Sequence, residues 1–124
     1  MKLRESAENY LETILVLSDN KGYVRAIDIA NRLGFAKPSV SVALKNLREH
    51  GYVTVEADGN VKLLEKGMRI AEQIYERHRT IAKVLMLMGV TEETAYEDAC
   101  KIEHDISEES FAKMKAYFSE NLAE

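Results

Sequence analysis

Two short runs of β-branched and aromatic residues flank an Asp-Gly dipeptide near the middle of the chain. The runs cover residues 52–56 and 61–64, and Asp58-Gly59 lies between them. Because Asp-Gly readily adopts the positive φ angles of a tight turn, this pattern predicts a β-hairpin. The remaining segments show helical periodicity and contain only one proline. The chain is therefore constrained to a mainly α fold that contains one short hairpin.

Three helices are predicted before the hairpin. Apolar residues at helical spacing follow Ser6 and end at the polar segment 18–22, which indicates the first helix. A second short helix covers residues 27–33 and ends at Gly34, which can adopt the left-handed conformation. Pro38 suits the first turn of a third helix, which ends at the His-Gly pair before the hairpin. This order of elements is typical of a winged helix-turn-helix domain with a short β-hairpin wing.

The rest of the chain is predicted to be helical. One long helix covers residues 66–88, a second follows Thr91 as far as residue 104, and a third begins near Ser107. A chain of 124 residues can form one ordinary domain, or two small ones that depend on packing partners. We therefore expect a winged helix-turn-helix domain at residues 1–65 and an all-α domain at residues 66–124.

Composition narrows the class of protein further. No apolar run approaches the roughly 20 residues of a membrane span, and charges occupy the amino-terminal positions where a signal peptide carries its apolar core. We therefore expect a cytoplasmic protein that does not enter a membrane. The single cysteine, Cys100, excludes an intramolecular disulfide, which leaves a buried small hydrophobe, a reactive thiol or a metal ligand.

Charge is distributed unevenly along the chain. The net charge is −4, yet residues 21–66 contain eight basic and five acidic side chains, for a local charge of +3. Residues 86–124 contain three basic and ten acidic side chains, for a local charge of −7. A DNA-binding surface needs local positive charge rather than a basic whole protein, and an acidic region attracts cations.

Candidate DNA contacts follow from the predicted helix-turn-helix. The second helix of such a motif enters the major groove, with its first turn nearest to the base edges. Short side chains in that turn allow the helix to approach the bases closely. Cationic side chains further along the same helix can reach phosphates, as can those on the wing and before the first helix of the motif. The alternative is that these side chains are ordinary solvent-exposed residues with no DNA contact. The candidates are Arg25, Lys37, Pro38, Ser39, Ser41, Val42, Lys45, Arg48, Asn60 and Lys62.

A second candidate site lies in the acidic region. Cys100, Glu103 and His104 are spaced i, i+3 and i+4, which places all three on one face of a helix. A thiol, a carboxylate and an imidazole together suit a first-row transition ion rather than calcium or magnesium, which prefer oxygen. The alternative is an ordinary solvated face, because a glutamate beside a histidine is common on exposed helices.

Six segments carry a pattern that extends from about residue 4 to about residue 120. They are 6–12 (SAENYLE), 22–25 (GYVR), 37–41 (KPSVS), 66–67 (KG), 77–79 (RHR) and 99–104 (ACKIEH). Together they resemble the diphtheria-toxin-repressor and manganese-repressor family of metal-dependent transcriptional regulators. The resemblance implies that the helical domain at residues 66–124 binds metal and forms the dimer. The metal ligands that it implies are Asn9, Glu12, His78, Cys100, Glu103 and His104.

The resemblance leaves the metal ambiguous. The manganese branch of the family carries Asp and Glu at positions 9 and 100, and the iron branch carries Met and Cys, whereas this chain has Asn9 and Cys100. A thiolate favours Fe(II), Zn(II) or Co(II) over Mn(II), which prefers oxygen ligands. We expect Fe(II) or Mn(II) as the cofactor, with Zn(II) or Co(II) as substitutes in vitro. Whether one or two ions bind stays open.

The function implied by the resemblance is repression. The protein is expected to bind double-stranded operator DNA as a metal-loaded homodimer and to control genes of metal homeostasis. Apolar residues of the last helices also favour a partner subunit. An alternative is a winged-helix transcription factor that responds to an organic ligand rather than to metal. We expect no enzymatic activity, because no oxyanion-hole motif or Gly-rich loop accompanies Cys100 and His104.

Overall fold

The computed structural model describes residues 5–122, which form six helices and one two-stranded antiparallel sheet. The chain divides into two compact units, of which the first ends at Glu72 and the second begins at Gln73. The predicted mainly α fold with a single hairpin is confirmed. In chain order the elements are α1 (Glu5–Lys21), α2 (Ala26–Leu33), α3 (Lys37–Glu49), β1 (Val53–Val55), β2 (Val61–Leu63), α4 (Glu65–Leu87), α5 (Glu92–Ile102) and α6 (Glu108–Leu122).

The first unit is a helix-turn-helix preceded by α1 and followed by the hairpin. Gly34 ends α2 with a φ of 72° and donates its backbone N–H to the Ala30 carbonyl, which is the left-handed helix end that the sequence predicts. Pro38 occupies the first turn of α3, where its missing N–H costs nothing. The largest fully buried side chains of this unit are Leu11, Ile14, Val24, Ile29, Val40, Val53 and Val61.

The first helix is longer than predicted. It continues through the polar segment that was expected to break it and ends at Lys21. Gly22, with a φ of 71°, terminates the helix by donating its N–H to the Ser18 carbonyl at 2.7 Å. The polar residues of the last turn are tolerated because Asp19 and Asn20 face solvent. Hydrophobic periodicity stops before the helix does, since an exposed turn needs no apolar side chains.

The hairpin is attached to the segment that precedes α2. Its two strands pair in register from Val53 opposite Leu63 to Val55 opposite Val61. Val61 donates its N–H to the Val24 carbonyl at 2.7 Å, and Val24 donates its own N–H to Oδ1 of Asn60 at 3.0 Å. A two-stranded hairpin is marginally stable alone, so these bonds fix the wing on the helix-turn-helix.

The beginning of α4 lies against the end of α3. A Cβ atom on Gly67 would overlap the carbonyl oxygen of Tyr52, so only glycine allows this approach. The ammonium of Lys66 lies 4.3 Å from the centre of the Tyr52 ring and donates to the His50 carbonyl at 3.3 Å. The Lys-Gly pair at the start of α4 therefore has a packing role within the first unit.

The second unit contains the remainder of α4 together with α5 and α6. Its core consists of Ile81 and Ala82 of α4 and of Ala95 and Ala99 of α5, so small side chains let the two helices approach closely. Ser107 caps α6 by accepting the N–H of Ser110 on its Oγ at 3.0 Å. Partly buried residues from all three helices pack against this core, namely Leu85, Met86, Val90, Tyr96, Ile106, Phe111 and Met114. Among residues 5–122, no helix has the length and apolar character of a membrane span.

Candidate metal centre and DNA-binding surface

Glu103 and His104 do not lie on a regular helix, and the expectation that the three spaced side chains share one helical face is wrong in this respect. Helix α5 ends at Ile102, Glu103 is its C-cap, and His104 belongs to the following turn. The backbone N–H of Glu103 still donates to the Ala99 carbonyl at 2.9 Å, which keeps Glu103 close to its helical position. The helix-face argument therefore holds for Cys100 and Glu103 and fails for His104.

The carboxylate of Glu103 is fully buried, with none of its side chain exposed. Its Oε2 lies 2.9 Å from Nδ1 of His78, at hydrogen-bond geometry. Its Oε1 lies 3.3 Å from Nε2 of His104, within ion-pair distance, and accepts no hydrogen bond from the described residues. A buried carboxylate oxygen without a hydrogen bond is destabilising unless a cation compensates it.

The Glu103 carboxylate is one of three possible metal ligands that lie close together. One ligand atom each from His78, Cys100 and Glu103 lies within 4.8 Å of the other two. A first-row ion holds nitrogen, sulfur and oxygen donors at about 2.0–2.3 Å, which places any two of them at most about 4.6 Å apart. Small side-chain adjustments would bring the three donors within that limit. The donor set and the buried oxygen that accepts no hydrogen bond from the described residues therefore fit a transition metal ion.

The surroundings of the cluster differ from one side to the other. The Cys100 side chain is exposed, whereas that of Glu103 is buried and that of His78 is partly buried. The Tyr96 ring packs against the His78 imidazole, with 5.4 Å between their centres and 33° between their planes. The cluster thus has a buried side at Glu103 and a side open to solvent at Cys100, by which an ion can enter.

Arg77 is a neighbour of this cluster that the sequence analysis did not single out. It precedes His78 on α4, and its Nη1 donates to the carbonyls of Glu103 and Ile106, each at 3.1 Å. These contacts span 26 and 29 residues of sequence, so no local pattern could have indicated them. The only signal was the arginine beside His78.

The two predicted ligands of α1 belong to the other unit. Asn9 and Glu12 are both partly buried and are spaced i, i+3 on that helix. Within the second unit, His78, Cys100 and Glu103 form the cluster, and His104 lies against Glu103. The ligand roles of Asn9 and Glu12 stay predictions.

The outer face of α3 carries most of the predicted DNA contacts. Its inner face is formed by Val40, Leu44 and Leu47, which are buried in the first unit. Val42 is 60% exposed although it is apolar, which leaves it accessible to a thymine methyl group or a similar apolar surface. The predicted contacts on this helix are all exposed, namely Lys37, Pro38, Ser39, Ser41, Val42, Lys45 and Arg48.

The predicted contacts outside α3 differ among themselves. Lys62 on the wing is exposed, with its ammonium 3.4 Å from the Glu56 carboxylate. Asn60 is only 8% exposed, and its side-chain oxygen accepts the Val24 N–H. The Asn60 side chain is therefore used to hold the wing in place, which leaves it poorly available to a phosphate.

Arg25 is exposed but already has partners. Its Nε donates to the hydroxyl of Tyr23 at 3.1 Å, and that hydroxyl donates to the Asp58 carbonyl at 2.9 Å. Its backbone N–H donates to Asp28, whose carboxylate also pairs with Lys21 at 3.0 Å. These two hydrogen bonds, the backbone one first, hold the pKa of Asp28 below its usual range. The start of α2 is thus tied both to the wing and to the end of α1.

Comparison with known proteins matches almost the whole chain. The family described as "Iron dependent repressor, N-terminal DNA binding domain" matches residues 2–61, and "Iron dependent repressor, metal binding and dimerisation domain" matches residues 64–121. The chain is 34% identical, over 117 residues, to an uncharacterized HTH-type transcriptional regulator of Methanocaldococcus jannaschii, covering 93% of this chain and 94% of that protein.

Two further similar proteins are a regulator from Geobacillus kaustophilus and a repressor of known structure. The HTH-type transcriptional regulator MntR of Geobacillus kaustophilus is 36% identical over 102 residues, which cover 82% of this chain and 72% of that protein. A manganese-dependent transcriptional repressor, solved in complex with manganese, superposes with a TM-score of 0.84 at 26% identity, over 91% of this chain. This chain spans 52% of that solved structure.

Proposed function

This chain belongs to the iron-dependent repressor family, and on that premise we propose that it senses Fe(II) or Mn(II) through a site built around Glu103. As a member of this family it is a metal-dependent transcriptional repressor, not an enzyme, and it binds operator DNA as a homodimer. Its metal-binding and dimerisation domain takes a divalent metal ion. We propose the identity of that ion, the residues that bind it and the residues that contact DNA.

The observation that carries the proposal is the buried carboxylate of Glu103. One of its oxygens accepts no hydrogen bond from the described residues, and ligand atoms of His78 and Cys100 lie within 4.8 Å. When bound, the divalent ion supplies the positive charge that a buried carboxylate and a thiolate require. His78 and Glu103, which contact each other at 2.9 Å, hold each other at the site. His104 and, from α1, Asn9 and Glu12 are the further ligands of the proposal.

The donor set supports a choice between two ions. The Cys100 thiolate favours Fe(II), because Mn(II) prefers oxygen ligands and binds most weakly among the first-row ions. Glu103 and Glu12 are oxygen ligands that suit both metals, and the similar proteins of known name include a manganese-dependent repressor. Mn(II) therefore stays in the proposal beside Fe(II), and the two are separated by experiment.

The DNA side of the proposal rests on the exposed face of α3. Ser39 and Ser41 are short enough to approach base edges, and Lys45 and Arg48 are placed to neutralise phosphates. Lys62 adds a cation on the wing. In a homodimer that binds two half-sites, the paired recognition helices read sites about 34–36 Å apart, or a multiple of that distance. Metal and DNA then strengthen each other's binding, typically by about 1–3 kcal/mol.

The second unit also supports a partner subunit of its own kind. Four large apolar side chains of this unit are at least one-third exposed in the part of the chain that the structure describes. They are Leu87 at 44%, Met88 at 71%, Ile102 at 36% and Tyr117 at 51% exposed. Burying them in a homodimer removes apolar surface from water, which stabilises the pair.

The test is an anaerobic titration with Mn(II), Fe(II), Co(II) and Zn(II) in parallel. The DNA probe is a duplex that the wild-type protein selects from a random-sequence pool in excess Mn(II). We expect Glu103→Gln to lower metal affinity by about 100-fold or more and to remove metal-stimulated DNA binding, because it loses an anionic ligand. Cys100→Ser should abolish the thiolate-to-cobalt charge-transfer absorption and shift the preference toward Mn(II).

The matched control is Glu97→Gln, which removes the same charge from an exposed position on α5. It should leave metal affinity and DNA binding unchanged. Wild-type metal affinity in Glu103→Gln would overturn the proposed ligand set. DNA binding that persists unchanged in excess EDTA would overturn metal sensing and favour control by an organic ligand.

A further inference from the structure

The turn that follows α5 carries two of the proposed ligands, yet it is not a regular element. Glu103 donates its backbone N–H to the Ala99 carbonyl, and residues 103–105 form a turn across which Asp105 and Ile106 donate to the Ile102 carbonyl. The carbonyls at the end of a helix have no partner within that helix. Carbonyls at and just after a helix end need donors from other parts of the chain, because buried carbonyls without partners are costly.

Arg77 supplies side-chain donors to two carbonyls that lie just after the end of α5. A single guanidinium nitrogen, Nη1, donates to the Glu103 carbonyl and to the Ile106 carbonyl, each at 3.1 Å. The two bonds bracket the turn, since one carbonyl lies at its beginning and the other just beyond its end. A cation at this position also interacts favourably with the negative end of the α5 dipole.

Arg77 is itself held in place. Its side chain is partly buried, and its guanidinium lies 5.3 Å from the centre of the Phe111 ring on α6. The planar guanidinium therefore has a ring on its face and carbonyls at its edge, which restricts its rotamers. It also adjoins His78 in sequence, so one turn of α4 supplies both a proposed ligand and the contact to the backbone of another.

From these contacts we infer that Arg77 is a positioning residue for the metal site: it fixes the turn after α5 and thereby keeps the Glu103 carboxylate beside His78 and Cys100. The inference rests on the proposed function, in which Glu103 is a ligand. Both backbone groups of Glu103 are engaged, its N–H with Ala99 and its carbonyl with Arg77. With the backbone of Glu103 fixed in this way, only its side-chain torsion angles determine the position of the carboxylate.

The experiment compares Co(II) binding by wild-type protein, Arg77→Met, Glu103→Gln and the double variant. Methionine keeps length and apolar bulk while removing every donor. We expect Arg77→Met to lower Co(II) affinity by about tenfold, the lower end of the range for residues that orient ligands. Its cobalt d–d spectrum at saturation should change in the same direction as that of Glu103→Gln. In the double variant, loss of Arg77 should cost no additional affinity, because Arg77 acts through Glu103.

The control is Arg79→Met, two residues further along α4. Arg79 is exposed, and its guanidinium lies over Tyr75, 5.5 Å from the ring centre. It should bind Co(II) like the wild type. If Arg77→Met does not fold, Arg77→Lys replaces it, because lysine keeps the charge but lacks the planar group, and the same cycle is measured.

The possible results distinguish the positioning role of Arg77 from the ligand role of Glu103. Wild-type Co(II) affinity in the Arg77 variant, or a loss that adds fully to that of Glu103→Gln, overturns the positioning role. Wild-type affinity in Glu103→Gln overturns the proposed ligand set itself. A tenfold loss that vanishes in the Glu103→Gln background supports the inference.

Discussion

The outer face of α3 and the cluster around Glu103 differ most in how far water reaches their side chains. On α3 the predicted DNA contacts are exposed, and Val42 alone presents 60% of its surface. In the cluster, Glu103 is fully buried and contacts a residue 25 positions away in sequence. A surface for a large polyanion needs only a regular helix with the right exposed residues. A site for a small cation needs donors brought together from separate elements.

This difference sets how each site responds to substitution. If the exposed cations of α3 contact DNA as proposed, removal of one should change DNA affinity alone, because such a side chain does not support the fold. A residue that packs one element onto another supports the fold, so its substitution should change stability first. The three predictions below test this separation, beginning with the largest expected effect.

Gly67→Ala should destabilise the first unit by about 3 kcal/mol, because the new methyl group overlaps the carbonyl oxygen of Tyr52. Urea denaturation measures the total loss, and hydrogen exchange locates it, with faster exchange expected in α1 to α3. The matched control is Glu72→Ala, at an exposed site on the same helix, which should stay within about 0.5 kcal/mol of wild type. Unchanged stability in Gly67→Ala would contradict the close approach of α4 to Tyr52.

Lys45→Ala and Arg48→Ala should each weaken DNA binding by about 1 kcal/mol, or roughly fivefold, whatever the sequence of the duplex. Each should also reduce the slope of log affinity against log salt by about one, because one phosphate contact is lost. Fluorescence anisotropy at several salt concentrations measures both quantities.

Lys113→Ala on α6 serves as the control for these variants, because it removes an exposed cation from the second unit. It should leave the salt slope unchanged. A wild-type salt slope in both α3 variants would show that this face does not contact phosphates. Co(II) affinity in the absence of DNA should be the same in all three variants.

Asp28→Asn should have the smallest effect, a loss of about 1 kcal/mol or less at pH 7, since the contacts of Asp28 are those of an exposed helix start. The pKa of Asp28 is lowered by the Arg25 N–H and by Lys21, so its ionised form stabilises the folded state. That contribution is present above the unfolded-state pKa and is lost as the pH falls through the lower folded-state pKa.

Urea denaturation at pH 7 and in acid checks this sign. The stability difference between wild type and Asp28→Asn should shrink toward zero as Asp28 becomes protonated in the folded protein. Asp19→Asn, at an exposed site on α1, is the charge-matched control at pH 7 and should stay within about 0.5 kcal/mol of wild type. A difference that grows in acid would reverse the assigned direction.

The sequence was sufficient for most elements and for the exposed face of α3, because both depend on local patterns. Gly34 and Pro38 bound the turn of the helix-turn-helix, Asp58-Gly59 marks the hairpin, and the period of α3 separates its buried from its exposed residues. Asn60 was less predictable. Its side chain accepts a bond from Val24, 36 residues earlier, and no local pattern distinguishes such an anchor from an exposed wing residue.

The metal cluster was predictable in its residues but not in its geometry. Spacing alone placed Cys100, Glu103 and His104 on one helix, whereas α5 stops at Ile102. His78 was identified through the family resemblance, because nothing in the sequence near Cys100 points to a residue on another helix. Arg77 shows the same limit, since its bonds to the turn after α5 appear only once the second unit is folded.

Metal binding at the buried carboxylate of Glu103 would have a consequence for the lifetime of the protein in the cell. Metal that binds only the folded chain stabilises it by mass action, by about 2.7 kcal/mol at an ion concentration one hundred times the dissociation constant. A shift of that size changes the unfolded fraction about a hundredfold and hence the exposure of the chain to proteases. Metal starvation should therefore relieve repression twice, by weakening operator binding and by shortening the survival of the repressor molecule.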